Sequence, residues 1–229
     1  MKIGMVGLSV AEGKVKFYDE RLLNLVEKVQ PLKVTPYFVE LTAVEWASAD
    51  ALAVSRDKAL DICIQDIEKI ETRLANSSDE QERAALQQCL PFLEKETPLC
   101  DAGFDAAVRA YLKTLAPLTF KPTVFWDAEP DINALVHAMW RKAGMMFFYT
   151  AGKKEVHAWP MPQGSDIVTC AGKIHSDLAR GFIRGEVLPY ADFLTVHSQQ
   201  DAKNRGLEKL VERDYIVQDA DIIEIRFSV

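Results

Sequence analysis

An α/β domain carrying a helical hairpin, followed by a smaller α+β module, is the fold class that the sequence predicts. Three observations predict it. Residues 2–6 form a short apolar run that reads as a buried strand stopping at Gly7. Residues 55–74 and the segment after Ser78 repeat apolar side chains at helical spacing on either side of the polar turn Asn76-Ser77-Ser78-Asp79, the pattern of a helical hairpin. From Met145 the pattern changes to strand-like runs, which places a boundary at Gly144. The domains are then 1–144, with the hairpin at about 55–97, and 145–229.

The composition narrows the class of protein. At 229 residues and 48% hydrophobic, the chain can bury a core. A net charge of -7 argues against coating nucleic acid through bulk electrostatics, although a local basic patch stays open. The apolar runs fall short of the roughly 18 residues of a membrane span. Met1-Lys2 leads into Ile3 without the regions of a signal peptide, so the expectation is a soluble, cytoplasmic protein with no membrane partner. Cys63, Cys89, Cys100 and Cys170 lack paired spacing and read as buried thiols, so no metal site is expected.

Taken in order, the strand to Gly7 is where a phosphate-binding loop would begin, and the sequence departs from one. Such a loop encloses four residues between two glycines and continues with Lys and a hydroxyl residue, so that backbone N–H groups wrap phosphate. Gly7 and Gly13 enclose five residues, Lys14 is followed by Val15, and Glu12 adds a carboxylate. Asp19 is an N-cap for a helix with Leu22, Leu23, Val26 and Val29 inward and Pro31 at its end. A strand over 34–41 follows.

The first hairpin helix carries the stripe Leu60, Cys63, Ile64, Ile67, Ile70 and Leu74. The second starts from a capping box of Ser78 and Gln81, bears Leu86, Cys89, Leu90 and Leu93, and is kinked or shortened by Pro91. The stripe serves hairpin packing or a partner-binding arm. Phe104 to Leu115 marks another helix, residues 122–126 a strand, and 131–143 a last helix with Leu135, Met139 and Trp140 on one side. Trp126, Trp140 and Trp159 read as core and Trp46 as exposed.

In the second domain, 147–150 and 155–159 flank Ala151-Gly152-Lys153-Lys154 at hairpin spacing. A short helix containing His175 follows, which Gly181 can end in the left-handed conformation, and 182–188 starts a strand. A polar helix over 201–210 and a closing hairpin of 215–217 with 222–227 complete the domain. His175-Ser176-Asp177 brings together the residue types of a catalytic triad, but a triad is assembled from separate segments, so no catalytic residue is assigned. His175 and Asp177 serve as helix caps, or His175 faces a ligand with Lys173, Arg180 and Arg184, whose cations suit phosphate or RNA. The bland alternative is ordinary solvated charge.

Three of these stretches, 148–156, 171–184 and 214–219, resemble the C-terminal TGS-type domain (DUF933 type) of the YchF family of Obg-related GTPases and ATPases. The resemblance implies a β-grasp, ubiquitin-like fold for that part, and a reduced P-loop-like α/β domain before it with strands around Ile3, Phe38 and Val124. Tyr18-Asp19-Glu20-Arg21-Leu22 matches the family's pDpRL segment, and 86–91 looks like the far arm of its coiled-coil insertion. The family's Asp-x-Ala-Gly motif stands here as Glu40-Leu41-Thr42-Ala43, and its Asn-x-x-Glu base-reading motif as Ala128-Glu129-Pro130-Asp131. With the phosphate loop, none of the three nucleotide elements is intact.

The resemblance therefore implies a non-catalytic relative that acts through its TGS-like module on a ribosome, RNA or protein partner, with no cofactor expected. One alternative keeps GTP or ATP with Mg2+ on the residual candidates Gly7, Gly13, Lys14 and Glu40. Another makes Lys173, Arg180 and Arg184 a sensor for a phosphorylated small ligand. A shortened sheet needs cover, which suggests a homodimer.

Overall fold

The structure, a computed structural model, describes residues 1–10, 12–197 and 199–228. Its first part runs β1 (Lys2–Val6), β2 (Gly13–Phe17), α1 (Glu20–Val29), β3 (Lys33–Thr35), β4 (Tyr37–Thr42), β5 (Ala51–Ser55), α2 (Ala59–Asn76), α3 (Glu80–Gln87), α4 (Leu90–Leu93), α5 (Ala106–Leu115), β6 (Thr123–Trp126) and α6 (Ile132–Lys142). Then come β7 (Met145–Ala151), β8 (Glu155–Pro162), α7 (Ile167–Ile174), α8 (Ser176–Arg180), β9 (Phe182–Leu188), α9 (Tyr190–Thr195), α10 (Gln199–Asn204), β10 (Lys209–Val211) and β11 (Ile222–Phe227). Helices α1, α3, α5, α6 and α7 each start at an aspartate whose carboxylate accepts backbone N–H bonds, so part of the acidic excess is spent on caps. Among the described residues no helix is long and apolar enough to cross a membrane.

The chain divides into two compact units, Met1–Val15 with Phe38–Ala143, and Lys16–Tyr37 with Gly144–Val229. The sequence reading assigns all of 16–37 to the first domain. Here that segment belongs to the second unit, because Pro36 interrupts the expected strand over 34–41: β3 before it pairs with β8, and β4 after it pairs with β1.

The first unit is an α/β domain whose sheet has the order β2-β4-β1-β5-β6, with β4, β1, β5 and β6 all parallel. Strand β5 was not legible in the sequence. Ala51, Leu52, Ala53 and Val54 are all buried, as suits a parallel strand covered on both faces, and so lack the alternation that marks a strand. Leu52 and Val54 pack with Val6 and with Ile62 of α2. That orientation also corrects the expected stripe: α2 buries Ile62, Cys63, Asp66 and Ile70, whereas Leu60 and Ile64 are exposed. Farther along, Ile70 of α2, Leu86 of α3, Leu93 of α4 and Leu112 of α5 share a separate helical core. The cap of α3 is Asp79, which bonds Gln81 and Glu82 N–H, rather than Ser78. Trp46, expected outside, is half-buried and donates to the Met5 carbonyl.

The second unit has the sheet order β10-β9-β11-β7-β8-β3. Hairpin β7–β8 is antiparallel, β11 lies parallel to β7, and β9 runs antiparallel to β11, which is the β-grasp arrangement with β3 added at one edge. Helix α7 covers one face through Ile167, Cys170 and Ala171 against Phe148, Val187 and Ile223. On the other face stand Phe147, which stacks on Phe17, and Tyr149, which bonds Asp19 at the start of α1. Helix α1 buries Leu22 and Leu25; Leu23 is exposed.

Three expectations for this unit change. Residues 215–217 and 222–227 do not form a hairpin: Ile216 makes an isolated bridge to Asp166, and β11 crosses between β9 and β7. Of the expected 201–210 helix only 201–204 are helical, as the end of α10 (Gln199–Asn204), and β10 follows. Gly181 is not left-handed (φ -94°); it is required because a Cβ there would lie 2.2 Å from the Ser228 carbonyl. Ala220, in contrast, does adopt φ +69° at its turn.

Candidate functional site

In a parallel sheet, ligands gather at the carboxyl ends of the strands near the point where strand order reverses. Here that place is Gly7, directly after β1, flanked by the ends of β5 and β6. Gly7 has φ +70°, and a Cβ on it would lie 2.7 Å from the Lys58 side chain. The next element is β2. Described residues 7–10 and 12 form no helix, so the helix N-terminus that would present N–H groups and a positive dipole to phosphate is absent from this part. The Ser9 N–H is already used, donating to the Glu129 carboxylate at 2.7 Å.

Among the residues matched to the other nucleotide motifs, Glu129 accepts from Ser9, and Thr42 and Asp131 are engaged locally. Thr42 Oγ1 accepts from Val44 and Glu45 N–H at 3.4 Å, and Asp131 caps α6 through Asn133 (2.8 Å) and Ala134 (2.9 Å). Arg56 pairs with Asp127 and lies over the Phe125 ring.

The residual candidates are not all brought together. Lys14 on β2 and Glu40 on β4 do meet, with Lys2, Phe38 and Asp50, around an open depression of about 580 Å³. Glu40 lies opposite Lys2 in the sheet, and its carboxylate is 3.9 Å from the Lys2 ammonium. That is the amino end of β1. Gly7 is five residues farther along, roughly 16 Å at the rise of a strand. Gly13 begins β2 with φ +106° and open space around its Cα.

In the second unit, α7 ends at Ile174 and His175 caps α8, its Nδ1 accepting from Asp177 N–H at 3.2 Å. Arg180 pairs with Asp177 at 2.8 Å. Lys173 is exposed in the last turn of α7. Arg184 stands apart from these three: Gly185 and Val187 face α7, so Arg184 and Glu186 project from the opposite face of β9, and Arg184 pairs with Glu212 at 3.4 Å.

Two polar clusters in this unit escaped the sequence reading. Asp19 is 2% exposed and accepts from Arg21 N–H (2.7 Å), the Arg21 guanidinium (2.6 Å) and the Tyr149 hydroxyl (3.1 Å); Arg21 continues to Asp219 at 2.6 Å, which accepts Phe147 N–H. Burial alone would raise the Asp19 carboxyl, but these donors outweigh it and hold it below the usual carboxylate range. The matched pDpRL segment thus ties α1 to the sheet.

The second cluster is Glu186 on β9 with Glu208, Lys203 and Arg226. Lys203 is 2.9 Å from Glu186 and 3.5 Å from Glu208, and Arg226 bonds Glu186. Burial pushes both carboxyls up; Lys203, a hydrogen bond from Glu208 and Arg226 bring Glu186 below its usual range, whereas Glu208 stays raised by burial and by Glu186. The pair adjoins a cavity of about 380 Å³. No signal in the sequence singles out Glu186 or Glu208, since a lone glutamate in a strand reads as a solvated position.

Comparison with known proteins follows this division. Residues 145–228 match the C-terminal domain of YchF GTPases, described as a protein of unknown function (DUF933). The ribosome-binding ATPase YchF of Escherichia coli O157:H7 is 26% identical over 270 residues, covering 93% of this chain and 71% of that protein. The protein of the same name from Pasteurella multocida is 41% identical over 101 residues, 44% of this chain and 28% of its own length. The structure of the Schizosaccharomyces pombe YchF GTPase superposes with a TM-score of 0.78 at 14% identity, over 99% of this chain and 97% of that one, a likeness of fold.

Proposed function

We propose that this chain, which belongs to the YchF family, is a ribosome-associated protein that acts by contact through its TGS-like C-terminal unit and not by nucleotide chemistry. The observation that carries the reading is the passage of β1 straight into β2, beside a C-terminal unit close to that of proteins named ribosome-binding. The residues at the end of β1 do not fit a magnesium nucleotide: the N–H of Ser9 is given to Glu129, Lys58 lies over Gly7, and Lys14 is at the far end of the sheet without a following hydroxyl. A cytoplasmic location goes with a ribosomal partner.

Co-sedimentation with ribosomes at low and high salt tests the association. Pelleting with ribosomes is the expected result; a chain that stays in the supernatant at every salt concentration refutes it. Because the net charge is -7, contact through protein is favoured over contact through RNA, and pelleting should fall only modestly between 50 and 200 mM salt, far less than the roughly 10³-fold loss of a protein held by many phosphates.

A second reading is favoured by the relatives' name of ATPase: slow turnover on a divergent site using Lys14 and Glu40. It requires hydrolysis above a matched blank, with or without ribosomes, that falls in Lys14→Ala. A sensor for a phosphorylated ligand loses Arg184, which projects from the other face of β9, and is left with Lys173, His175 and Arg180. Homodimerisation is tested by sedimentation equilibrium.

A further inference from the structure

Strand β11 outruns its partner β7. Hydrogen bonds run from Ala220 N–H to the Phe147 carbonyl (2.7 Å) and from Tyr149 N–H to the Asp221 carbonyl (2.9 Å), and residue pairing between the two strands is confined to Ile222 opposite Tyr149. On its other side β11 stays paired with β9 as far as Phe227 opposite Phe182. Successive residues of a strand send their backbone groups to opposite neighbours, and Asp221 faces β7. Ile225 therefore directs its N–H and C=O groups to the side that β7 has left, with no strand beside it among the described residues, and a bulge between Arg226 and Phe227 ends the regular alternation there. Such an edge is a template for another strand.

The 380 Å³ cavity lies along this opening, and its two sides differ. Ile174, Leu178 and Ile225, on the α7 side, are apolar. On the opposite face Glu186, Glu224 and Glu208 stand beside the apolar Leu188, Ile222 and Phe193, so that side is mixed and acidic where the α7 side is apolar. Glu155 and Lys154 complete the charged lining; Lys33 pairs with Glu155, Lys203 pairs with both Glu186 and Glu208, and Arg226 bonds Glu186. The Glu208 carboxyl stands beside Glu186, which together with burial holds it above its usual range, so a cationic side chain entering here would meet an incompletely neutralised acidic pair. An added strand would point alternate side chains to the two sides, so apolar–basic alternation matches both at once.

We propose that the open edge of β11 and this cavity bind an extended segment of a partner protein, added as a strand beside 223–227, with apolar side chains towards Ile174 and Leu178 and a lysine or arginine against Glu208. The proposal rests on the ribosome-contact reading only for the identity of the partner. RNA cannot supply the strand backbone that this edge lacks.

Fluorescence anisotropy with the full chain tests it, using a labelled heptapeptide alternating lysine and valine, one alternating glutamate and valine, and octauridine. The lysine peptide should bind saturably and about tenfold more tightly than the glutamate peptide, and octauridine should not compete. Glu208→Gln, which keeps a neutral hydrogen-bonding group beside Glu186, should weaken the lysine peptide about fivefold without altering the far-UV circular dichroism. Hydrogen exchange should slow at Ile225, whose N–H faces the open side, when the peptide is bound. Equal binding of the two peptides, no binding of either, competition by octauridine, an unchanged Glu208→Gln, or protection elsewhere would each overturn the proposal. Ribosome pelleting without peptide binding refutes this inference alone, and peptide binding without pelleting refutes the ribosome reading alone.

Discussion

Replacing Asp19 by alanine removes the centre of the network that fastens α1 to the β-grasp sheet. Loss of the N-cap bond to Arg21 N–H costs about 1 kcal/mol. The Tyr149 hydroxyl, on a fully buried side chain, loses its acceptor at a cost of about 1–3 kcal/mol. Arg21 retains Asp219, so its loss is well below the 3–5 kcal/mol of a wholly broken buried pair, and about 1 kcal/mol is reasonable. The expected total is about 4 kcal/mol, confined to the second unit. Tyr149→Phe leaves Asp19 with Arg21 and should cost only about 1 kcal/mol. The double variant should cost about 1–2 kcal/mol less than the sum, because no hydroxyl is then stranded. Hydrogen exchange of α1 and β7 amides across a urea series reads each unit separately, which a single fluorescence melt of a two-unit chain does not. A cost below about 1 kcal/mol for Asp19→Ala, or strict additivity in the cycle, refutes the reasoning.

Other predictions use the same assay or simple variants of it. Because the folded Asp19 carboxyl lies below its unfolded value of about 3.9, its stabilisation is complete above that value and is lost as pH falls through the lower folded one; the pH slope of the second unit in this range should flatten in Asp19→Ala. In the first unit, buried Asp66 accepts from Leu118 N–H (2.6 Å), Thr119 N–H (2.7 Å) and Thr119 Oγ1 (2.6 Å), so Asp66→Ala should lower stability by about 2–3 kcal/mol and speed exchange at 118–120. Burial raises Asp66 despite these bonds; its folded value exceeds the unfolded one, so its contribution is greatest below the unfolded value and declines as pH rises through the folded value, opposite in sign to Asp19. Gly181→Ala should destabilise the second unit by about 1–3 kcal/mol through the Ser228 carbonyl, whereas Gly152→Ala, with its nearest atom at 4.0 Å, should stay within about 0.5 kcal/mol in urea melts.

The sequence was most legible where local chemistry decides structure. Asp19, Asp131 and Pro91 marked helix starts and a break correctly, and the β-grasp arrangement was legible through resemblance rather than through periodicity. It was least legible where burial on both faces erased alternation, as in β5, and where one interruption redirected the chain, as Pro36 does between β3 and β4. The turn at Gly181 was identified by residue type but for the wrong reason, since the close approach of Ser228 is not local in sequence. The same limit applies to the candidate sites. Gly7, Lys14 and Glu40 are near in sequence or in motif order, yet strand register places Gly7 at one end of β1 and the other two at the opposite end. Arg184 parts from Lys173, His175 and Arg180 because a strand alternates faces while a helix does not. The pairing of Glu186 with Lys203, Glu208 and Arg226 and the open edge of β11 join separate elements 17 or more residues apart and left no trace in composition or spacing.

The absence of a phosphate cradle after β1 is the claim on which the functional account depends. Equilibrium dialysis of the full chain against labelled, non-hydrolysable ATP and GTP analogues with Mg2+ measures it directly. The account predicts no saturable binding of either analogue at sub-millimolar concentration, with Glu129→Ala behaving like the parent chain; micromolar binding of either one would contradict it.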